Sequence, residues 1–137
     1  MAPDPRTNDS RTPVIIGVGQ FLNRVDRGAA PLEPVELMAE ALRLAKADTG
    51  VSGVLSAAHV IAAVPTISWR YQDPAALVRD RVGSPEAHTW YATVGGNTPQ
   101  SMMNRLAVAI TAGELDLALL CGGESVRSRS LAKRDGR

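Results

Sequence analysis

Cysteine occurs once and histidine only twice in this chain of 137 residues. A lone Cys121 excludes an intrachain disulfide framework and any multi-cysteine zinc site, so the chain reads as a protein of a reduced, cytoplasmic compartment. Aromatic residues make up 4% of the sequence. The core must therefore be filled by Ala, Val and Leu, which suits helices packed closely on a sheet. Neither sign of charge dominates: fifteen Lys plus Arg against fourteen Asp plus Glu leave a net +1, too weak a field to recruit nucleic acid. No apolar run approaches the ~20 residues that cross a bilayer, and Met1 to Thr12 lacks the apolar h-region of a secretory signal. What is present is ordinary globular composition, 45% hydrophobic and 21% charged, in a length that fits one domain.

Apolar runs and helical repeats alternate along the chain. Val14, Ile15, Ile16 and Val18 form a run of the kind expected of a strand covered on both faces, at about 14–19. Val35, Met38, Leu42 and Ala45 then repeat at helical spacing over about 34–47, with Pro34 in the first turn and Gly50 at the exit. A second strand is expected at about 59–64, and Asp73-Pro74 opens a helix over about 74–82 that Gly83 closes. A third strand at about 88–94 runs into Gly95-Gly96-Asn97-Thr98-Pro99. Met103, Leu106, Ala107 and Ile110 carry a helix over about 98–112, and a last strand covers about 115–121. The order β-α-β-α-β-α-β predicts an α/β fold, a mainly parallel sheet with helices on both faces. Residues 1–12 are expected to be a disordered polar N-terminus, residues 13–125 the domain, and residues 126–137 a basic tail that stays in water.

Few constellations could carry chemistry. Gly17-Val18-Gly19 follows an apolar run, but no third glycine and no helix follow, so the dinucleotide-binding fingerprint is incomplete. His59 and His88 stand at strand beginnings without acids nearby and read as structural. Cys121, ending an apolar strand, reads as a core thiol. The loop from Pro65 to Gln72 holds Trp69, Arg70 and Tyr71, which either cover a sheet end or line a pocket and stack on an adenine. The turn Gly95 to Thr98 bends from a strand into a helix N-terminus, where unpaired N–H groups gather and favour an anion or a developing oxyanion. The same residues can equally serve only to start the helix, with Asn97 and Gln100 three residues later imitating a capping box.

Several segments together resemble one family. They are Pro13-Val14-Ile15-Ile16-Gly17-Val18-Gly19-Gln20, the turn Gly95-Gly96-Asn97, the helix through Asn104 to Ala112-Gly113, and Leu117-Ala118-Leu119-Leu120-Cys121-Gly122-Gly123-Glu124-Ser125. They look like the N-terminal half of a thiolase-superfamily protein, in the sterol-carrier-type and mycobacterial thiolase-like branch labelled acetyl-CoA acetyltransferase. The family's apolar strand ends in Gly-Gly-x-Glu-Ser, here without the intervening residue.

The resemblance implies an acyl-CoA acyltransferase of lipid metabolism, with a coenzyme A thioester as substrate or ligand and no covalently bound cofactor. It also implies a departure. Thiolases carry their nucleophilic cysteine in the turn before this helix, and that position falls at Gly96, Asn97 or Thr98, where there is no cysteine. The half that supplies the catalytic histidine and second cysteine in thiolases has no counterpart here. The chain is thus expected to be inactive as a thiolase alone and at most to bind acyl-CoA, or else to be a non-catalytic fragment that assembles through its sheet edge. Expected partners are a second copy, through about 88–94 or 98–112, or a chain supplying the missing half.

Overall fold

The computed structural model describes residues 10–136. Seven principal elements follow one another: α1 (Pro34–Thr49), β1 (Val60–Ala63), α2 (Pro74–Val82), β2 (His88–Tyr91), α3 (Thr98–Thr111), β3 (Ala118–Cys121) and α4 (Val126–Arg134), with a single 3-10 turn at Val25–Arg27 before them. The strands form one parallel sheet in the order β2-β1-β3.

The central strand β1 reads Val-Ile-Ala-Ala and is buried throughout. Alternation divides it between two cores. Ile61 and Ala63 face Val35, Met38 and Leu42 of α1 and Ala75 and Val78 of α2. Val60 and Ala62 face Met102, Leu106 and Ala109 of α3. Two alanines in the central strand let the helices approach closely, which is how so few aromatics fill the interior. Helix boundaries follow local chemistry. The backbone N–H of Glu33 donates to the Glu36 carboxylate at the start of α1, Asp73 accepts the N–H of Ala76 at the start of α2, and Gly83 takes a left-handed φ of 73° to end α2.

The parallel α/β class agrees with the sequence pattern, but the expected first strand does not form. Residues 14–19 belong to no ladder. They cross α1 instead. A Cβ on Gly19 would lie 2.2 Å from the Ala41 carbonyl oxygen and one on Gly17 would lie 2.5 Å from that of Ala45, so only glycine permits this approach. The Val18 N–H is held by the Asp48 carboxylate at 2.8 Å. Ala41, Ala45 and Asp48 lie on the flank of α1 opposite Arg43, whose guanidinium reaches the Arg81 carbonyl of α2. The segment therefore runs on the β3 side of the helix, without a strand beside it. As a result Val14, Ile15, Ile16 and Val18 are 53–72% exposed instead of covered on both faces.

The basic run after Glu124 is helical over Val126–Arg134, with Arg127, Arg129, Lys133 and Arg134 in water and Ser128 buried. Residues 1–9, most of the expected polar N-terminus, lie outside the described residues. Among the described residues no helix is long and apolar enough to cross a membrane.

Candidate functional site

In an open parallel sheet, a crevice opens at the carboxyl ends of neighbouring strands whose following helices lie on opposite faces. Here those strands are β1, which leads to α2 on one face, and β2, which leads to α3 on the other. A cavity of about 740 Å³ occupies this position, walled by Pro65, Thr66, Trp69, Arg70, Tyr71 and Pro74 after β1 and by Tyr91 at the end of β2 with Ala92, Thr93 and Val94 beyond it. A smaller one of about 410 Å³ lies between the ends of β1 and β3 and touches Pro99 at the start of α3. Pro65 belongs to both. The loop 65–72 thus lines a cavity.

The turn into α3 lies beside these cavities. The Thr98 N–H donates to the Gly95 carbonyl at 3.1 Å, and the Ser101 N–H to that of Asn97 at 3.0 Å. The N–H groups of Gly96 and Asn97 have no protein acceptor among the described residues, and both residues are exposed. They immediately precede the first turn of a helix whose aligned peptide dipoles leave partial positive charge at that end. The Thr98 hydroxyl is buried and donates to the Thr93 carbonyl at 3.0 Å, so it braces the turn. The expected capping box is absent: Asn97 makes no side-chain cap, and Gln100 donates to Asn104 one turn along the helix instead.

A clamp that sequence patterns did not reveal fixes the loop between the two cavities. Glu124, just past β3, accepts the N–H of Ile67 at 2.6 Å and that of Ser68 at 2.9 Å. The Ser125 N–H donates to the Ser68 hydroxyl at 3.0 Å, and on the far side of the loop Tyr71 donates to Glu33 at 3.0 Å. Burial alone would raise the Glu124 carboxyl, but the Ser68 side chain and the two backbone donors outweigh it and hold the group below its ordinary 4.5. A depressed carboxyl stabilises the fold above the unfolded-state value, and that contribution disappears as pH falls through the folded-state value. Glu124→Gln should accordingly be less stable than the parent at pH 7, with the gap closing below pH ~4. Acid unfolding followed by far-ultraviolet circular dichroism measures this, and a gap constant from pH 7 to pH 3 contradicts it.

The remaining reactive side chains are structural. The Cys121 thiol faces the α1–α2 core, with Sγ 3.6 Å from the Ala62 carbonyl, and burial pushes it up to about 12. His59 Nδ1 accepts the N–H groups of Asp116 and Leu117 at the amino end of the sheet, away from the crevice, and His88 contributes to the β1–β2 junction through its backbone N–H. Among the described residues no three His, Cys, Asp or Glu side chains gather as metal ligands do.

No family model matches the chain, and no curated protein does. Solved structures do. A monomeric SCP2-thiolase like protein type 1 from Mycobacterium smegmatis is 32% identical, with a TM-score of 0.75 over 88% of this chain and 25% of that one. A cysteine-to-serine variant of Xanthomonas campestris OleA with bound lauric acid and lauroyl-CoA is 20% identical, with a TM-score of 0.62 over 70% of this chain and 28% of that one. The 3-oxoacyl-[acyl-carrier-protein] synthase III of Aquifex aeolicus VF5 is 14% identical, with a TM-score of 0.66 over 82% of this chain and 44% of that one. The last two show shared fold alone. The chain thus has a thiolase-like fold and resembles part of a thiolase-superfamily protein, spanning about a quarter of the length of the mycobacterial relative.

Proposed function

We propose that the chain is an acyl-CoA-binding part of a thiolase-like acyltransferase of lipid metabolism, and that it performs no thiolase chemistry by itself. The observation that carries this reading is the pair of unpartnered N–H groups on Gly96 and Asn97, at a helix N-terminus beside the crevice. Donors so arranged suit the carbonyl oxygen of a thioester, and Thr98 serves this site by holding the turn closed. A structural neighbour that holds lauroyl-CoA supports the choice of ligand. No nucleophile accompanies the donors, because the turn carries Gly-Gly-Asn-Thr and its hydroxyl is engaged. Titration calorimetry with lauroyl-CoA tests the reading: saturable binding supports it, and an absence of binding to folded protein at millimolar ligand overturns it.

A second reading, assembly with another polypeptide, rests on a different observation. Val14, Ile15, Ile16 and Val18 expose apolar surface against α1, and among the described residues β2 and β3 leave the two outer edges of the sheet free. The apolar exposure favours self-association through the N-terminal segment over the more polar β2 edge. Sedimentation velocity at micromolar concentration should show a dimer that Ile15→Lys dissolves. The M. smegmatis protein is described as monomeric, and a monomer at every concentration speaks against this second reading.

A further inference from the structure

The loop between β1 and α2 is held in shape from outside itself. Among the described residues, no main-chain group of residues 65–72 is hydrogen-bonded to another main-chain group. Its form therefore depends on side-chain ties, without which its backbone is free to sample other conformations. Within the loop the Thr66 hydroxyl donates to the Trp69 carbonyl at 2.8 Å. From outside, Glu33 accepts the Tyr71 hydroxyl, Ser125 donates its N–H to the Ser68 hydroxyl, and Glu124 accepts the N–H groups of Ile67 and Ser68. Glu124 thus supplies both outside ties to the loop's main chain, and its carboxylate makes them charge-assisted.

The residues that Glu124 grips are not the ones that wall the crevice. Pro65, Thr66, Trp69, Arg70 and Tyr71 line the larger cavity, whereas Ile67 and Ser68 do not. Glu124 itself lines only the smaller one. Its effect on the larger cavity therefore passes through the loop's backbone, from positions 67 and 68 to the walls on either side of them. Ser68 is 5% exposed. Loss of the carboxylate leaves a donor of this buried residue without an acceptor, a cost the loop relieves by shifting toward water.

We propose that Glu124 is a positioning residue for the crevice, setting the loop 65–72 in the form that walls the larger cavity. The ligand rests on the acyl-CoA reading; the hold on the loop does not. A loop released for part of the time weakens binding by the fraction of molecules in which the wall is complete, so about a tenfold loss of affinity is expected.

The test uses Glu124→Ala and Glu124→Gln, the latter keeping one acceptor oxygen for two donors. Lauroyl-CoA affinity is read by titration calorimetry. Loop order is read without ligand, by acrylamide quenching of Trp69 in a Trp90→Phe background, since these are the two tryptophans of the chain. In protein whose far-ultraviolet circular dichroism matches the parent, Glu124→Ala should bind about tenfold more weakly and leave Trp69 more quenchable, with Glu124→Gln between. Formate, which can replace the lost carboxylate, should restore both readings in part, whereas chloride at the same ionic strength should not. If Glu124→Ala does not fold, Glu124→Gln against the parent carries the same comparison. Parent-like quenching in the folded variants overturns the proposal, whether affinity falls or not, and so does increased quenching with unchanged affinity. A folded parent that does not bind lauroyl-CoA overturns the acyl-CoA reading, and the hold of Glu124 on the loop is then decided by Trp69 quenching alone.

Discussion

Incubated with acetyl-CoA, the chain is expected to keep its own intact mass and to release no free coenzyme A above the uncatalysed rate. Acyl transfer of the thiolase kind begins with a thiolate attacking the thioester carbonyl, and loss of such a nucleophile typically costs many orders of magnitude. The turn at Gly95–Thr98 has donors but no thiol. The one thiol in the chain is buried in the α1–α2 core, and burial pushes it up to about 12, away from the thiolate that attack requires. Cys121→Ala should therefore leave both readings unchanged. An adduct heavier by one acetyl group, lost in that variant, would show that the thiol is reachable after all.

Ile61→Ala should cost about 2–5 kcal/mol of stability, much of what a domain of this size possesses. Ile61 is fully buried at the centre of the central strand, between β2 and β3 and beneath α1 and α2. Its truncation opens a cavity in a core of Val35, Met38, Leu42, Ala75 and Val78, which fixed helices hold around the strand and which relaxes only in part. Urea unfolding gives the difference directly. A loss below ~1 kcal/mol would mean that the core is far more plastic than its burial implies.

Local signals served well wherever the governing physics is local. Pro34, Asp73, Gly50 and Gly83 punctuate the helices where the sequence predicts, since caps depend on residues a few positions apart. The first strand failed for the opposite reason. A β-branched run becomes a strand only beside another backbone, and whether one lies beside residues 14–19 is decided by the far end of the fold. The strands also proved shorter than the apolar runs, as with Leu115, which packs in the α3-side core before β3 begins.

The candidate site was legible in a similar measure. The turn at Gly95–Thr98 and the loop of Trp69, Arg70 and Tyr71 could each be singled out, but their meeting at one crevice depends on β1 and β2 becoming neighbours. Glu124 formed part of a recognisable motif, yet its hold on Ile67 and Ser68 joins residues 57 and 56 positions apart. No spacing rule reaches that far.

The central claim is that acyl-CoA binds at the crevice between the carboxyl ends of β1 and β2. Amide hydrogen exchange, read by mass spectrometry with and without saturating lauroyl-CoA, tests it most directly because it reports where protection arises. Slowed exchange is expected in peptides covering 65–72 and 92–98, with the amides of Gly96 and Asn97 among those protected and α4 unaffected. Lauroyl-CoA that binds while these two peptides exchange as before, with protection confined to α4 or to the exposed apolar segment at 14–22, would contradict it.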